Sequence, residues 1–475
     1  MFACSRKLPW AALFLLAAPL GAQSFKQDIS LAGLGNGNSA RPFGITAEPY
    51  SQRLFVAIAG DFGGANNVVA IVDPVTDTVS GTLTVGNFPE DVAFVYDASG
   101  VPLYGAVSNS TDGTVTIWDG LSDIVLDTVQ LPDPLGFGSC YPFGLAPSED
   151  GRTLYVSTVD GSGDVHAIDL QSGPPFAYDA SASFNLGDKS LGRLQHFQDM
   201  VLVGTSQFDV AFTGAEAGMA GWSTSVLPFF WSFDILDRSG QFSFPAGQDV
   251  EILQDGTVVL GGTFFENRMY LMDANGQLDR TLRFSGSSGS AHGLAESEDG
   301  SLLAVCDLAG NELILMDLIN RVEYSNTFLP TVGLGYQQPN EAAFLLDKLY
   351  VSVQANEEIL VFDQLPTIQP GGGYAGSLTL SESTPALGGT LTATASGPGI
   401  VALLAAEDDQ AGPFAGVDLD IGPQPQFLGW GVGSFAKSFQ IPLQSSLHTR
   451  HFFFQGVTDA QNSQQPTPPK VVIVQ

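Results

Sequence analysis

The chain has 475 residues, of which 44% are apolar and only 14% are charged, well below the roughly 25% that is usual for soluble domains. Aspartate and glutamate outnumber lysine and arginine by 50 to 17, for a formal net charge of −33. This balance excludes nucleic-acid binding through a basic face. The 55 glycines and 33 phenylalanines argue against a coiled coil and against a disordered chain. What remains is an acidic, glycine-rich, mostly β protein.

The first 22 residues have the pattern of a secretory signal peptide. Arg6 and Lys7 precede a short apolar stretch over 11–20, and small residues then lead to Ala22. A membrane anchor is the alternative, but the apolar stretch is too short to span a bilayer comfortably. No later stretch approaches 18 apolar residues. We therefore predict a secreted, periplasmic or cell-surface protein with no transmembrane segment after cleavage.

A short apolar segment that ends in aspartate recurs along the chain. Its seven copies end at Asp73, Asp119, Asp169, Asp234, Asp273, Asp317 and Asp363. A second element precedes each copy and has the form Pro-x-Gly-apolar, an Asp-Gly turn and an apolar strand. It is clearest from Pro142 to Val156 and from Ala291 to Val305. Each unit thus contains four short strands in roughly 45 residues, which is typical of a β-propeller blade.

Seven units predict an all-β fold with a seven-bladed β-propeller over residues 23–366, since stacked blades bury the faces that one sheet leaves open. A Gly/Pro linker follows at 367–376, and short alternating strands over 377–475 predict a small β-sandwich that serves as an accessory domain. The seven repeated aspartates are interpreted as turn residues. Cys140 and Cys306 fall in non-adjacent units, so they are expected to be buried free thiols.

Two units depart from the pattern. The seventh has no clear fourth strand after Asp363, so we expect a strand near Phe25–Leu34 to complete the last blade. The fourth is longer, and the stretch between Ser206 and Phe229, which includes Trp222, is interpreted as a loop over the channel mouth or as a solvated loop.

These repeats resemble the YVTN-type propeller repeat, a relative of the NHL and lactonase-like seven-bladed propellers of secreted bacterial proteins. The resemblance covers about residues 25–366 and implies the propeller fold, whereas this architecture supports many unrelated activities. Related lactonases and lyases place several acidic residues or a histidine in the channel mouth. His292, in the Ala291–Leu294 segment, is the best local match to such a site.

The loops that enter the innermost strands of a propeller converge on one mouth of its channel. This places a candidate ligand-binding set there: Glu90, Asp91, Arg193, His196, Asp249, Asn340 and Glu341. Asp91, Asp249 and Glu341 could hold a divalent cation, calcium or magnesium, and His292 could then act as a general base. Acidic residues at such positions also serve to bind backbone amides, which is the competing interpretation.

The leading hypothesis is a secreted, monomeric propeller without catalytic activity that binds a protein or small-molecule ligand at the channel mouth. It requires only the repeats and the signal peptide, and no complete catalytic set is present. The alternative is a metal-assisted lactonase-like hydrolase or lyase with its site in the central channel and His292 as its catalytic residue.

Overall fold

All regular structure in the described part of the chain is β-strand. The computed structural model describes residues 24–473 apart from 37–38, 62–65, 134–135, 137, 188, 209–214, 226–229, 237–248, 262–267, 285–290, 309, 320–321, 330–337, 369–376, 382–389, 407–411, 415–416, 420–425, 441–450, 461–462 and 467–469. The predicted signal peptide and most of the predicted linker lie outside these residues. Within them, no helix has the length and apolarity needed to cross a membrane.

Seven antiparallel sheets form the blades, which confirms the predicted propeller. The first strand in the chain, β1 (Ser24–Ser30), belongs to the last blade. Blade 1 contains β2 (Pro42–Glu48), β3 (Arg53–Ile58), β4 (Val68–Asp73) and β5 (Thr78–Thr84). Blade 2 contains β6 (Pro89–Tyr96), β7 (Pro102–Asn109), β8 (Thr114–Asp119) and β9 (Val125–Gln130). Blade 3 contains β10 (Pro142–Pro147), β11 (Thr153–Thr158), β12 (Asp164–Asp169) and two short outer strands, β13 (Ala177–Tyr178) and β14 (Phe184–Asn185).

The remaining blades follow the same order. Blade 4 contains β15 (Ser190–Phe197), β16 (Met200–Phe208), β17 (Ala215–Ser223) and β18 (Phe230–Leu236). Blade 5 contains β19 (Val250–Ile252), β20 (Val258–Leu260), β21 (Arg268–Met272) and β22 (Leu278–Arg283). Blade 6 contains β23 (Ala291–Glu296), β24 (Leu302–Asp307), β25 (Glu312–Asp317) and β26 (Val322–Phe328). Blade 7 contains β27 (Pro339–Leu345), β28 (Lys348–Val353), β29 (Glu358–Asp363) and β1.

The first strands of neighbouring blades contact one another in an unbroken ring, from β2 through β6, β10, β15, β19, β23 and β27 back to β2. These strands therefore line the channel. We call the end of the ring where they begin the mouth face. The opposite end, which carries the turns between the first and second strands and between the third and fourth, is the hairpin face.

The ring is closed by the N-terminal strand, as predicted. β1 pairs antiparallel with β29, from Ser24 opposite Asp363 to Ser30 opposite Glu358. Asp77 of blade 1 locks this seam, because its buried carboxylate accepts hydrogen bonds from Lys26 at 2.6 Å and from Lys348 at 2.8 Å. The seam is thus held both by backbone pairing and by two lysines that meet on one buried carboxylate.

Blade interfaces are filled by the apolar residues of the strands. Between blades 1 and 2, Phe55 stacks on Trp118 with ring centres 6.0 Å apart and meets Phe94 edge-on at 4.8 Å. All three side chains are buried. Cys140 and Cys306 are buried and free, as expected from their positions in blades 3 and 6. Packing between sheets therefore supplies the core that one blade lacks.

The interpretation of blade 4 as carrying a long loop between Ser206 and Phe229 is wrong. β16 extends to Phe208, and the third strand is β17, which pairs with β16 from Met200 opposite Ser223 to Phe208 opposite Ala215. The apolar segment that ends at Asp234 lies in the fourth strand, β18, and not in the third. β17 does not show the repeat pattern, because it is rich in alanine and glycine, which have low strand propensity, and has no terminal aspartate.

Four of the repeated aspartates act as turn residues, whereas the prediction is wrong for Asp234, which lies inside β18 opposite Gly218. Asp73 accepts the amide N–H of Val75 at 2.8 Å, and Asp119 accepts that of Ser122 at 2.8 Å. Asp169 and Asp273 bind the amides of Gln171 and Asn275 in the same way. These bonds close the turn to the fourth strand.

The tail is also all-β. β30 (Ser377–Leu380), β31 (Thr390–Ala406), β34 (Gln426–Gln440), β35 (His451–Ala460), β36 (Ser463–Pro466) and β37 (Lys470–Ile473) form one six-stranded sheet, and β32 (Gly412–Phe414) pairs with β33 (Val417–Leu419). The facing layers of a sandwich and the accessory role of this region stay predictions.

Candidate functional site

One position of the repeat differs from blade to blade in a regular way. It is the glycine of the Pro-x-Gly element, near the mouth end of each innermost strand. In blade order it is occupied by Gly44, Asp91, Gly144, Arg193, Asp249, Gly293 and Glu341. Three glycines, three acids and one arginine therefore surround the channel, and each glycine is followed by a charged residue in the next blade.

The glycines are required by the close approach of the neighbouring strand. A Cβ on Gly44 would lie 2.3 Å from the carbonyl oxygen of Glu90, and one on Gly144 would lie 2.7 Å from the Cα of Arg193. A Cβ on Gly293 would lie 2.4 Å from the carbonyl oxygen of Asn340. Carbon atoms cannot approach so closely, so these positions bring the innermost strands together at the mouth.

Each acid of the set binds the next blade. Asp91 accepts the amide N–H of Leu145 at 2.8 Å, and Asp249 accepts that of Leu294 at 2.7 Å. Glu341 accepts the amide N–H of Ile45 at 2.7 Å, which links blade 7 to blade 1. In each case the donor directly follows the glycine of the next blade. One oxygen of each acid therefore has a structural role, as the competing interpretation of the sequence proposed, although the bond crosses to another blade.

Arg193 draws these acids together. Its Nη1 donates to Oδ1 of Asp91 at 3.2 Å and to Oε1 of Glu341. The residue is only 5% exposed, and its Cζ lies 5.9 Å from the centre of the Phe143 ring. Its Nε and Nη2 are buried and have no hydrogen-bond acceptor among the described residues. The guanidinium therefore has donors to spare at the centre of an acidic ring.

Burial governs the ionisation of this cluster. It raises the pKa of Asp249 to about 6 and that of Glu341 to about 8, because the cost of desolvating each carboxylate exceeds its attraction to Arg193. Burial also raises the pKa of Glu90 to about 8. Burial alone would lower the pKa of Arg193, but attraction to Glu341 and Asp91 raises it. At neutral pH the cluster thus holds a charged guanidinium, and Glu90 is largely protonated.

Aromatic rings lie beside the charges. Phe43, which is half-buried, meets Phe143 edge-on at 5.9 Å and His292 at 6.0 Å between ring centres. Nδ1 of His292 lies 3.2 Å from the carbonyl oxygen of Asn340, whose side-chain Nδ2 donates to the carbonyl oxygen of Phe43 at 2.9 Å. Burial lowers the pKa of His292 to about 4, so its ring is neutral at pH 7. Since a carbonyl only accepts, Nδ1 carries the proton in this contact.

The structure thus brings together seven of the eight candidate residues of the mouth: Glu90, Asp91, Arg193, Asp249, His292, Asn340 and Glu341. It does not bring His196 to them. His196 lies at the other end of β15, where its ring stacks on Tyr155 at 5.7 Å, because three residues of extended strand separate it from Arg193. Within the described ranges, no three His, Cys, Asp or Glu side chains converge in the manner of a metal site.

Two features of the site were missed in the sequence. The first is the edge-on pair of Phe43 and Phe143, which occupy the middle position of Pro-x-Gly in blades 1 and 3. The second is the alternation of glycine with charge, which aligning the seven units at that element would have revealed. Two cavities lie elsewhere, between blades 5 and 6 (about 420 Å³) and between blades 6 and 7 (about 550 Å³), and both open on the hairpin face.

The fold and the site define a seven-bladed β-propeller with a charged, aromatic-lined channel mouth. No protein-family model matches the chain, and no curated protein matches it in sequence. Similar solved structures include hydrazine synthase of Kuenenia stuttgartiensis, at a TM-score of 0.53 and 16% identity, over 70% of this chain and 97% of that one.

Two further similar structures come from other organisms. Raptor of Chaetomium thermophilum has a TM-score of 0.53 at 12% identity over 74% of this chain, but only 30% of Raptor is covered. The β-propeller domain of Myceliophteria thermophila Cps50 (Swd1) has a TM-score of 0.50 at 10% identity, and the match covers 72% of this chain and 100% of that domain. At such identities the similarity establishes the propeller fold and nothing about activity.

Proposed function

We propose that the chain is a secreted, monomeric β-propeller without catalytic activity that binds a small molecule or a partner protein at the mouth of its central channel. The propeller fold is compatible with a binding or scaffold role. The observation that carries the proposal is Arg193, whose Nε and Nη2 are buried without an acceptor in the described residues. An unsatisfied buried donor costs about 1–3 kcal/mol, so a ligand that supplies acceptors would recover that free energy.

The surroundings of Arg193 favour a ligand with mixed chemistry. Asp91 and Asp249 offer acceptors beside the guanidinium donors, and Phe43 and Phe143 offer apolar surface. Ligand sites in proteins commonly combine apolar walls with a few polar groups that fix orientation. The metal-site prediction is weaker on this geometry, because the guanidinium already occupies an oxygen of both Asp91 and Glu341.

A thermal-shift screen tests this proposal. Mature protein is melted with a panel of small carboxylates, amino acids and uncharged sugars, and a ligand at 100 times its Kd is expected to stabilise the fold by about 2.7 kcal/mol. The shift should be lost in Phe43→Ala and in Arg193→Lys, which keeps the charge but loses the planar donor set. It should persist in Tyr50→Ala, an exposed site on the hairpin face. Equal shifts in all variants would place the binding site away from the mouth.

The lactonase-like hydrolase or lyase is the second candidate, and the neutral ring of His292 favours it. With Nδ1 directed to the carbonyl of Asn340, Nε2 is the nitrogen available to accept a proton. A group with a pKa of about 4 is nevertheless a weak base at pH 7. Lactone turnover that is abolished in His292→Asn, together with a melting temperature that falls on chelation and recovers with calcium or magnesium, would establish this candidate instead.

A further inference from the structure

Every exposed large apolar side chain in the described part of the chain lies at the hairpin face. These residues are Phe25, Tyr50, Val75, Leu103, Leu121, Ile124, Val125 and Ile319. They lie in or beside the turns between strands, or, for Phe25, opposite Phe362 near the end of β29. Single exposed apolar residues are ordinary on soluble proteins. Their restriction to one end of the propeller calls for a physical reason.

Four of these residues form one surface on blade 2, which we call the blade-2 patch: Leu103, Leu121, Ile124 and Val125. Leu121 and Ile124 are 56% and 62% exposed in the β8–β9 turn. Leu103 adjoins this turn, since its carbonyl oxygen accepts the amide N–H of Gly120 at 3.0 Å. Val125 follows Ile124 directly at the start of β9. Exposed apolar side chains that are grouped in this way mark interaction sites.

Carboxylates surround the blade-2 patch. Asp119 accepts hydrogen bonds from the amide and hydroxyl of Ser122, and these bonds lower its pKa. Asp97, in the neighbouring turn, accepts the amide N–H groups of Ser99 at 2.8 Å and Val101 at 3.0 Å. The charge of a third acid, Asp123, is offset by its pair with Arg53 of blade 1, so the negative charge comes from Asp97 and Asp119. Apolar side chains at this end of the propeller therefore stand in a field of fixed negative charge.

We propose that the blade-2 patch is a docking surface for a basic segment of another protein, one that carries apolar side chains between its lysines or arginines. Such a segment matches both the apolar surface and the surrounding acids. A second copy of this chain would bring like charges together, given its net charge of −33. An anionic membrane would be repelled for the same reason. The inference concerns the end of the propeller opposite the channel mouth and does not depend on a ligand there.

Peptide binding tests the proposal. The probe is a fluorescent synthetic peptide of lysine and leucine, compared with a matched peptide of glutamate and leucine, and binding is measured by anisotropy at physiological salt. The double variant Leu121→Ser/Ile124→Ser removes apolar surface and leaves every charge in place. The matched control is Ile319→Ser, a 46% exposed residue of the same face on blade 6.

We expect the lysine peptide to bind the unmodified protein and the control alike, and the double variant at least tenfold more weakly, which equals about 1.4 kcal/mol. Equal affinity for the double variant would show that the peptide binds through general charge attraction alone, and this would overturn the proposal. Preference for the glutamate peptide would overturn it as well. So would a dimer in solution that the double variant abolishes, because the patch would then belong to a second copy. Phe43→Ala should bind the lysine peptide normally, which separates this outcome from that of the mouth site.

Discussion

The buried guanidinium of Arg193 makes the sharpest prediction about this propeller. Replacing Arg193 by methionine keeps an unbranched side chain of comparable length but leaves Asp91, Asp249 and Glu341 around a position without positive charge. Removing one partner of a buried ion pair costs about 3–5 kcal/mol. For a propeller of residues 24–363, an entropy of unfolding of about 2 cal/mol/K per residue sums to about 0.7 kcal/mol/K. The expected fall in Tm at pH 8 is therefore about 4–7 °C.

The loss should shrink as the pH falls. Glu341 and Asp249 have native pKa values of about 8 and about 6, above those of the unfolded chain, so the native state binds more protons than the unfolded state between about pH 4 and pH 8. Protonation at pH 5 removes much of the charge that Arg193 neutralises. We expect the difference in Tm between Arg193→Met and the unmodified protein to fall by about half or more between pH 8 and pH 5.

Differential scanning calorimetry at both pH values measures these differences. The control is Arg152→Met, which breaks the exposed pair with Asp150 and should cost no more than about 1 kcal/mol at either pH. A loss at Arg193 as small as that of the control would refute the view that the guanidinium holds the mouth together. A loss that is equal at pH 5 and pH 8 would refute the assignment of raised pKa values to its carboxylate partners.

Three further predictions concern the same framework. Asp77→Ala should lower the free energy of unfolding by about 1.5–3 kcal/mol, because it removes the buried acceptor that Lys26, Lys348 and Tyr350 share at the ring seam; no measurable loss in calorimetry would show that backbone pairing alone closes the ring. The stability of Glu90→Gln relative to the unmodified protein should rise by about 2.7 kcal/mol between pH 6 and pH 9, since a native pKa of about 8, above that of the unfolded chain, means that the unmodified protein loses stability until the pH passes 8; parallel pH profiles would contradict this. Gly293→Ala should lower the free energy of unfolding in urea by about 1–3 kcal/mol, because its Cβ would press on the carbonyl oxygen of Asn340. Gly81→Ala, whose Cβ would lie at an ordinary 3.7 Å from Ile71, should leave that free energy nearly unchanged. Similar losses for both variants would contradict the argument from close approach.

Local sequence features were sufficient to predict the propeller architecture. Strand periodicity, Asp-Gly turns and the aspartate at the end of the third strand in every blade but blade 4 all involve residues within one unit, so they repeat visibly whatever the tertiary structure. The absence of a fourth strand after Asp363 likewise pointed to β1, because an unpaired strand edge must be covered. The prediction for blade 4 was wrong because these local signals are absent there. β17 has neither strong strand formers nor the terminal aspartate, and only its pairing with β16 and β18 identifies it.

The sequence by itself therefore determined the number of blades, the closure of the ring and the candidate residues of the mouth. Only the tertiary structure decided what those residues do to one another. Arg193 contacts Asp91 and Glu341, which lie 102 and 148 residues away along the chain, because seven innermost strands converge on one axis. Convergence also separated His196 from the mouth, buried the carboxylates enough to shift their pKa values, and gathered the exposed apolar side chains at the opposite end. Burial and distance between remote residues are properties of the closed ring, and no single repeat contains them.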